Sequence, residues 1–130
     1  MNDKALILQV PTPIIATKKG LIPKPSTVDY TGVLKGGRFI AFDAKRSAIK
    51  TRFDIKNIHD HQMSFLKKVI EMGGHGFFLV HLYNVHEDKA WIVYPELIDT
   101  WKLKRSSIPL EALEKERLVN INDYLEFLYD

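Results

Sequence analysis

The 130-residue sequence contains no cysteine. It therefore forms no disulfide bond and has no site in which cysteine thiolates bind zinc or an iron–sulfur cluster. Long apolar runs are missing as well. The apolar stretch at residues 5–10 is far shorter than the roughly 20 residues of a membrane-spanning helix, and it is too short for the apolar region of a secretion signal. These absences predict a cytoplasmic protein that does not enter a membrane.

Internal repeats and low-complexity segments are also absent from the sequence. Hydrophobic residues make up 45% of the chain. A chain of this size buries roughly two thirds of the surface that its unfolded form exposes, which is enough for one core but not for two. We therefore expect residues 1–130 to form a single domain.

Positive charge is concentrated in one part of the chain. Ten basic and only three acidic residues lie between Lys18 and Lys56, although the net charge of the whole protein is only +3. Clustered positive charge attracts nucleic acids, because each contact with a phosphate releases condensed counterions. The segment is typical of a DNA-binding surface, and a solvated basic surface is the alternative interpretation.

Strand-forming and helix-forming segments follow each other and predict an α/β protein. Strands are predicted at residues 5–10, 28–34, 38–45, 76–82 and 90–94. Apolar residues at helical spacing predict a helix that starts near His59 or Asp60, with Asp60 as its N-cap, and ends at Gly73 and Gly74. Shorter helices are predicted at residues 95–103 and 109–116. Residues 21–27 and 46–57 are predicted to be loops, and the second loop is expected to lie across a substrate. Residues 124–129 are predicted to form a terminal element whose type, helix or strand, the pattern leaves open.

Asp29, Asp43 and Lys45 are the candidate catalytic residues. Phosphodiester hydrolysis needs negative charge to bind Mg²⁺, or Mn²⁺ as a substitute, and Mg²⁺ takes only one or two carboxylates from a protein. Lys45 follows Asp43 by two residues on the same strand, so both side chains leave by the same face. A cation there is able to orient the attacking water and to offset charge on the phosphate. The alternative is an exposed ion pair at a strand end, with Asp29 capping a turn.

The length of the turn between the two strands decides whether Asp29 joins this group. With a turn of three residues, 35–37, Asp29 lies opposite Asp43. With a turn of two residues, 36–37, Asp29 lies opposite Ala44 and points away, because a shift of one residue flips every side chain. A catalytic role for Asp29 therefore predicts the three-residue turn or a compensating bulge.

A series of short motifs makes the sequence similar to a known family. The motifs are Lys24-Pro25-Ser26-Thr27-Val28-Asp29-Tyr30-Thr31-Gly32, Lys35-Gly36, Phe42-Asp43-Ala44-Lys45, Lys50-Thr51-Arg52-Phe53 and Asn57-Ile58-His59-Asp60-His61-Gln62. In order and spacing they resemble the core of the RecU-type Holliday junction resolvases, which belong to the PD-(D/E)xK nuclease superfamily. Further matches at residues 11–13, 73–78 and 107–109 extend the resemblance over nearly the whole chain.

The resemblance implies a restriction-endonuclease-like α/β fold, in which helices flank a mixed central sheet. It also implies a homodimeric, metal-dependent enzyme that resolves Holliday junctions by paired nicks in DNA recombination and repair. By position, Asp29 and Asp43 would be metal ligands, Lys45 the catalytic lysine, and Gln62 an accessory residue on the helix beside the site.

The sequence departs from the family pattern in two places. Family members usually begin with a helix that carries a further acidic metal-site residue, whereas Met1 stands almost at the first strand and Asp3 is a poor substitute. Members also have a basic and aromatic stalk, expected to occupy the junction centre, for which residues 14–23 are too few. We therefore expect a compact version of the family. Two other functions stay open: a non-catalytic DNA-binding accessory protein of recombination with the same fold, and a nuclease for other DNA structures.

Several further residues are weighed as DNA contacts or metal ligands. The candidates for contacts with DNA are Lys24, Thr27, Arg46, Lys50, Thr51, Arg52 and Lys56, with solvated loop charges as the alternative. His59 and His61 are expected to diverge by about 200° around the helix, so they are not expected to form a metal pair. Trp91, Trp101 and the pair at residues 77–78 are expected to lie in the core rather than to stack on bases.

Overall fold

A computed structural model of the protein describes residues 5–11, 14–23 and 28–123. The strands are β1 (Ala5–Gln9), β2 (Ile14–Thr17), β3 (Gly20–Pro23), β4 (Tyr30–Leu34), β5 (Phe39–Ser47), β6 (Arg52–Asp54), β7 (His75–Leu82), β8 (Lys89–Val93), β9 (Ser107–Pro109) and β10 (Arg117–Asn120). The helices are α1 (Asp60–Glu71), α2 (Pro95–Lys102) and α3 (Leu110–Leu113), with 3₁₀ turns at Ile55–Asn57 and Ile121–Asp123. Among the described residues, no helix has the length and apolar character needed to cross a membrane.

A six-stranded mixed sheet in the order β1-β4-β5-β7-β8-β10 is the centre of the fold. The pair β5 and β7 is parallel, and the other neighbouring pairs are antiparallel. Parallel neighbours need a crossover connection, which α1 provides. Helices α1, α2 and α3 pack with the face of the sheet that carries Ala41, Phe78 and Val80, while Ile40 and Phe42 point to the opposite core. The predicted α/β fold with a mixed central sheet and flanking helices is confirmed.

The turn between β4 and β5 has three residues, as a catalytic Asp29 requires. Val33 lies opposite Phe39, and the backbone N–H of Leu34 donates to the carbonyl of Arg38 at 2.8 Å. Residues 36 and 37 are glycines with φ of +99° and +97°, in the left-handed region that L-residues with a side chain rarely occupy. The sequence Lys-Gly-Gly is therefore suited to this odd-numbered turn.

The prediction of an irregular loop at residues 46–57 is confirmed for residues 48–51 and wrong for the rest of the segment. Strand β5 continues to Ser47, and β6 pairs antiparallel with β9, so that Phe53 lies opposite Ile108. Both side chains are fully buried, and Ile55 is buried as well. These apolar residues hold an otherwise polar segment against the core. Polar composition concealed a strand whose partner lies more than 50 residues away along the chain.

The prediction of an extended loop at residues 21–27 is wrong in its first part. Residues 20–23 form β3, which pairs with β2 around a turn at Lys18 and Lys19. Ile14 and Pro23 are the last pair of this hairpin, at the end opposite the turn. Proline is tolerated at the end of an edge strand because its missing N–H interrupts no ladder there. The remainder of the predicted loop, residues 24–27, lies outside the described residues.

Helix α1 has the predicted position, but its N-cap is His59 rather than Asp60. Gly73, with φ of +89°, follows the helix end as predicted. The helix predicted at residues 109–116 is limited to four residues, 110–113. Strand β10 was not predicted. It has four residues, of which only Val119 is buried, so the alternation of apolar and polar residues is too short to indicate a strand. The terminal element at residues 124–129 falls outside the described residues.

Candidate active site

Asp29 and Asp43 meet at the open end of the β4–β5 hairpin. The last paired residues are Tyr30 and Phe42, so Asp29 lies opposite Asp43 one position further along. Asp43 is inside β5 and only 1% exposed, whereas Asp29 precedes β4 and is half-buried. The expected register is therefore confirmed.

Reciprocal hydrogen bonds hold the two carboxylates together. The backbone N–H of Asp29 donates to Asp43 Oδ1 at 2.9 Å, and the backbone N–H of Ala44 donates to Asp29 Oδ2 at 3.2 Å. The carbonyl of Asp29 accepts from the backbone N–H of Val10 at 2.7 Å, which ties this residue to the strand segment that starts with β1. Both carboxylates are thus fixed by backbone groups, whose positions the sheet determines.

Lys45 joins the pair from the same strand. Its Nζ lies 2.8 Å from Asp43 Oδ2, and its side chain is 15% exposed. Residues two apart on a strand share a face, so this contact follows from the local geometry of β5. The attraction between two charges that are largely withdrawn from water is stronger than between exposed ones, because solvent screens it less, although removing them from water has a cost of its own.

Gln62 reaches the same carboxylate from the first turns of α1. Its Nε2 donates to Asp43 Oδ2 at 3.1 Å, and its Oε1 accepts the backbone N–H of His59 at 3.1 Å. A backbone N–H only donates, so it determines which end of the amide is the oxygen. Gln62 is 8% exposed. Asp43 consequently receives three donors, from Asp29, Lys45 and Gln62.

Burial, followed by the nearby negative charge of Asp43, raises the pKa of Asp29 above its usual value. The N–H of Ala44 and the charge of Lys45 offset this effect only in part. Two adjacent carboxylates away from bulk water repel each other, and a bound cation relieves the repulsion. The site therefore favours the binding of a positive charge.

The donor set suits a hard divalent cation. No cluster of three or more His, Cys, Asp or Glu side chains able to hold a metal occurs within the part of the chain that the structure describes. One or two carboxylates are the usual protein contribution to a Mg²⁺ site, whereas zinc sites in proteins nearly always include histidine nitrogen or cysteine sulfur. Asp3, considered as a third acid, lies outside the described residues.

Four of the seven predicted DNA contacts lie on the segment that connects β5, which carries Asp43 and Lys45, to α1, which carries Gln62. Lys50, Thr51, Arg52 and Lys56 are exposed on the segment between β5 and α1. Arg52 Nε donates to Asp54 Oδ1 at 2.8 Å, which offsets part of its charge. Lys24 and Thr27 are not among the described residues.

Arg46 is directed away from the carboxylates. It follows Lys45 directly on β5, so its side chain leaves by the other face. There its guanidinium lies 4.7 Å from the centre of the Tyr83 ring. The structure therefore does not bring Arg46 together with the catalytic candidates.

The expectation that His59 and His61 diverge is wrong. Their rings stack with centroids 5.6 Å apart and planes inclined by only 7°. The 200° estimate assumes helical backbone at both positions, but His59 is the N-cap and has an extended conformation with φ −89° and ψ 149°. Trp91 and residues 77–78 lie in the core as predicted.

A second group of cations was not predicted from the sequence. Lys104 and Arg105 lie over the half-buried ring of Trp101, and Lys102 belongs to the same turn. Three basic residues within four positions after a tryptophan were the signal that could have indicated this group. Trp101 was expected in the core; its half-buried ring packs against the core cluster of the helix side, and its remaining surface is next to these cations.

Comparison with known proteins identifies related sequences over nearly the whole chain. The profile of the family described as Recombination protein U, or RecU, matches residues 2–129. The Holliday junction resolvase RecU of Leuconostoc mesenteroides is 34% identical over 146 residues, which cover 98% of this chain and 70% of the relative. The protein of the same name from Oenococcus oeni is 31% identical and covers 98% of this chain and 75% of the relative. That of Mycoplasmopsis pulmonis is 36% identical over 119 residues, covering 91% and 72%. The resemblance inferred from the motifs is confirmed.

Proposed function

The chain belongs to the RecU family, and on this basis we propose that it is a metal-dependent endonuclease that resolves Holliday junctions by paired nicks. The observation that carries the proposal is the convergence of Asp29, Asp43 and Lys45 at one end of the β4–β5 hairpin. The names of the relatives support the choice of substrate, because three of them are Holliday junction resolvases. We further propose that residues 1–130 form one nuclease domain and that it acts in the cytoplasm.

Asp29 and Asp43 are the proposed ligands of Mg²⁺, for which Mn²⁺ is a substitute. When bound, the ion would supply Lewis-acid activation of a water and would stabilise charge on the phosphate. The protein contributes two carboxylates that the sheet has already brought together, so little conformational entropy is lost when the cation binds. The raised pKa of Asp29 supports this role, since the repulsion between the two carboxylates is offset only in part by Ala44 and Lys45.

Lys45 has one of its three N–H donors directed at Asp43 Oδ2. The remaining donors are available to orient the attacking water and to stabilise negative charge that grows on the phosphate oxygens. Gln62 acts as a positioning residue, because it holds the Asp43 carboxylate and is itself held by the backbone of His59. The lysine thus acts on the reactants and the glutamine acts through Asp43.

Paired nicks require two active sites related by a two-fold axis, so the proposal includes a homodimer. The interval in which the family pattern has a stalk forms the β2–β3 hairpin, which has exposed Lys18 and Lys19 at its turn. This hairpin is separate from the central sheet and carries positive charge. We propose that this hairpin, although short, contacts branched DNA through its two lysines.

The test compares cleavage of a labelled four-way junction, a flap and a linear duplex in Mg²⁺ or EDTA. We expect symmetric nicks in the junction with Mg²⁺ and none with EDTA. Asp43→Asn and Lys45→Ala should each lower the cleavage rate by at least about 100-fold and leave junction affinity nearly unchanged, because they affect the chemical step. Asp99→Asn, at an exposed aspartate paired with Lys67, is the matched control and should cleave normally.

Three outcomes would contradict the proposal. Binding without cleavage of any substrate would favour the accessory DNA-binding protein. Equal cleavage of junction and linear duplex would favour a nuclease for other DNA structures. Cleavage that persists in EDTA or in Asp43→Asn would remove the metal site from the mechanism.

A further inference from the structure

A second positively charged surface lies at the start of α1, the helix that carries Gln62. A cavity of about 350 Å³ is lined by Lys56, Lys102 and Arg105 together with Ile55, Ile58 and Ser106. We refer to these six residues as the basic pocket. Lys56 is one of the DNA contacts predicted from the sequence. Lys102 and Arg105 lie in a distant part of the chain, and no role was predicted for them. The pocket therefore joins cations that are far apart in sequence.

Backbone pairing fixes the two sides of the basic pocket relative to each other. Strands β6 and β9 pair antiparallel, and the backbone N–H of Ile55 donates to the carbonyl of Ser106 at 2.9 Å. The residues that follow Ile55 and precede Ser106 are Lys56 and Arg105. Their closeness is thus a property of the fold and does not depend on chance side-chain conformations.

The charge of the pocket is scarcely neutralised. The described acid nearest to Lys102 is Asp60, whose Oδ1 lies 3.7 Å from Lys102 Nζ and whose side chain is 97% exposed. An ion pair as exposed as this one contributes little and yields readily to another anion. Lys104 lies outside the pocket lining but brings a further positive charge near Arg105, because its Nζ and the Arg105 guanidinium lie over the same Trp101 ring, 5.0 and 5.5 Å from its centre. The ring limits the freedom of both side chains.

Basic residues at the end of a helix often serve only to interact with the helix dipole. That explanation covers Lys102, which occupies the last turn of α2. It does not cover Arg105, which lies beyond the helix, or Lys56, which comes from the 3₁₀ turn before α1. The convergence of all three on one cavity calls for an anion.

The basic pocket also adjoins the carboxylate site through the start of α1. Ile58 lines the pocket, and the next residue, His59, donates its backbone N–H to Gln62, which holds Asp43. A DNA strand that is bound at the carboxylates and follows the start of α1 would therefore reach the pocket. A DNA strand has phosphates at regular intervals along such a path.

We propose that the basic pocket binds a backbone phosphate of the DNA strand whose neighbouring segment occupies the carboxylate site. The inference rests on the proposed function for the identity of its ligand. Lysine and arginine bind phosphate by charge and, for arginine, by a fork of parallel N–H donors. Such an interaction carries no sequence information, so it raises affinity for junction and duplex alike and fixes the strand relative to the carboxylates.

The experiment measures binding of a fluorescent four-way junction by anisotropy in EDTA, where cleavage does not interfere, over a series of salt concentrations. The Lys102→Ala/Arg105→Ala double variant should bind about 10-fold more weakly than the wild type, and its salt slope should fall by about 1 for each phosphate that it no longer neutralises. Lys56→Ala, from the other side of the pocket, should show the same change of slope. Arg105→Lys keeps the charge and should retain most of the affinity.

Lys35→Ala/Lys68→Ala is the matched control, since it also removes two positive charges. Lys35 is in the β4–β5 turn, at the opposite end of the hairpin from Asp43, and the five steps along the strand from Arg38 to Asp43 span about 17 Å at about 3.4 Å each. Lys68 faces solvent late in α1. This variant should lose less than about 2-fold in affinity and keep the wild-type slope.

An equal loss of affinity in both double variants would overturn the proposal, because it would mean that only net charge matters. An unchanged salt slope in the pocket variants would overturn it as well. These results are distinguishable from failure of the proposed nuclease function. If the wild type cleaves junctions but the pocket variants bind DNA normally, only the proposal about the basic pocket is refuted. If the salt slope depends on the pocket residues but the wild type cleaves no substrate, the proposed nuclease function is refuted and the proposal about the basic pocket stands.

Discussion

Replacement of Gln62 by alanine tests whether the buried amide holds the Asp43 carboxylate. The substitution removes the donor to Asp43 Oδ2, a bond to a charged group worth about 1.5–3 kcal/mol. It also removes the acceptor for the N–H of His59 at the start of α1, worth about 0.5–1 kcal/mol. The free energy of unfolding should therefore fall by about 2–4 kcal/mol, and Tm by about 6–15 °C for a domain of this size.

The assay is thermal unfolding in EDTA combined with cleavage of saturating junction in Mg²⁺. Gln62→Ala should lower the cleavage rate more than the affinity, because the Asp43 carboxylate loses one of its three donors while the DNA-binding residues remain. Gln62→Glu separates the two bonds. It keeps an acceptor for His59 but brings an oxygen against Asp43, so its loss of stability reports the interaction with the carboxylate. Ser64→Ala, at an exposed position of the same helix, is the control.

The cost of Gln62→Ala should also depend on the charge of Asp43. In an Asp43→Asn background the amide no longer faces a charged group, so the same substitution should cost about 1–2 kcal/mol less. A Tm for Gln62→Ala within about 2 °C of the wild type, or a cost that is the same in both backgrounds, would refute the reasoning.

Two further predictions concern stability away from the carboxylates. Burial, followed by the positive charge of Arg38, lowers the pKa of His75 to about 4, below its usual 6.5, and its Nε2 lies 3.0 Å from Tyr94 Oη. The unfolded chain takes up this proton more readily, so stability should be complete above pH 6.5 and should decline by about 1–2 kcal/mol as the pH falls towards 4, after allowance for partial exposure. Melting curves from pH 4 to 7 should show this decline in the wild type and a smaller one in His75→Gln, and identical slopes would contradict it. Gly32→Ala should lower the free energy of unfolding by about 1–3 kcal/mol, because an added Cβ would overlap the backbone oxygen of Leu6 in β1. An unchanged Tm would show that β1 moves without cost.

The order of elements was largely predictable because the pattern of apolar residues is local. The helix over Asp60–Glu71 and strands β5, β7 and β8 follow from periodicities within single segments. Strands β6 and β9 were missed because each has only three residues, and each is stabilised by a partner distant in the chain. No local pattern indicates such a pairing.

The carboxylate site was predictable in part because it depends on spacing within one hairpin, whose turn length the residues left open between two and three. The alternation of side chains placed Asp43 and Lys45 on one face, and the odd turn added Asp29. The stacking of His59 on its neighbour was not predictable, since it depends on where the helix begins to within one residue. Helix boundaries are the least certain feature of a sequence pattern.

The three-residue turn between β4 and β5 also limits how this protein can change during evolution. A loop on the surface usually tolerates insertions and deletions of any size. Here a gain or loss of one residue would reverse the direction of Asp29 relative to Asp43, unless a bulge corrected it. Related sequences that keep both aspartates should therefore differ in this loop by even numbers of residues.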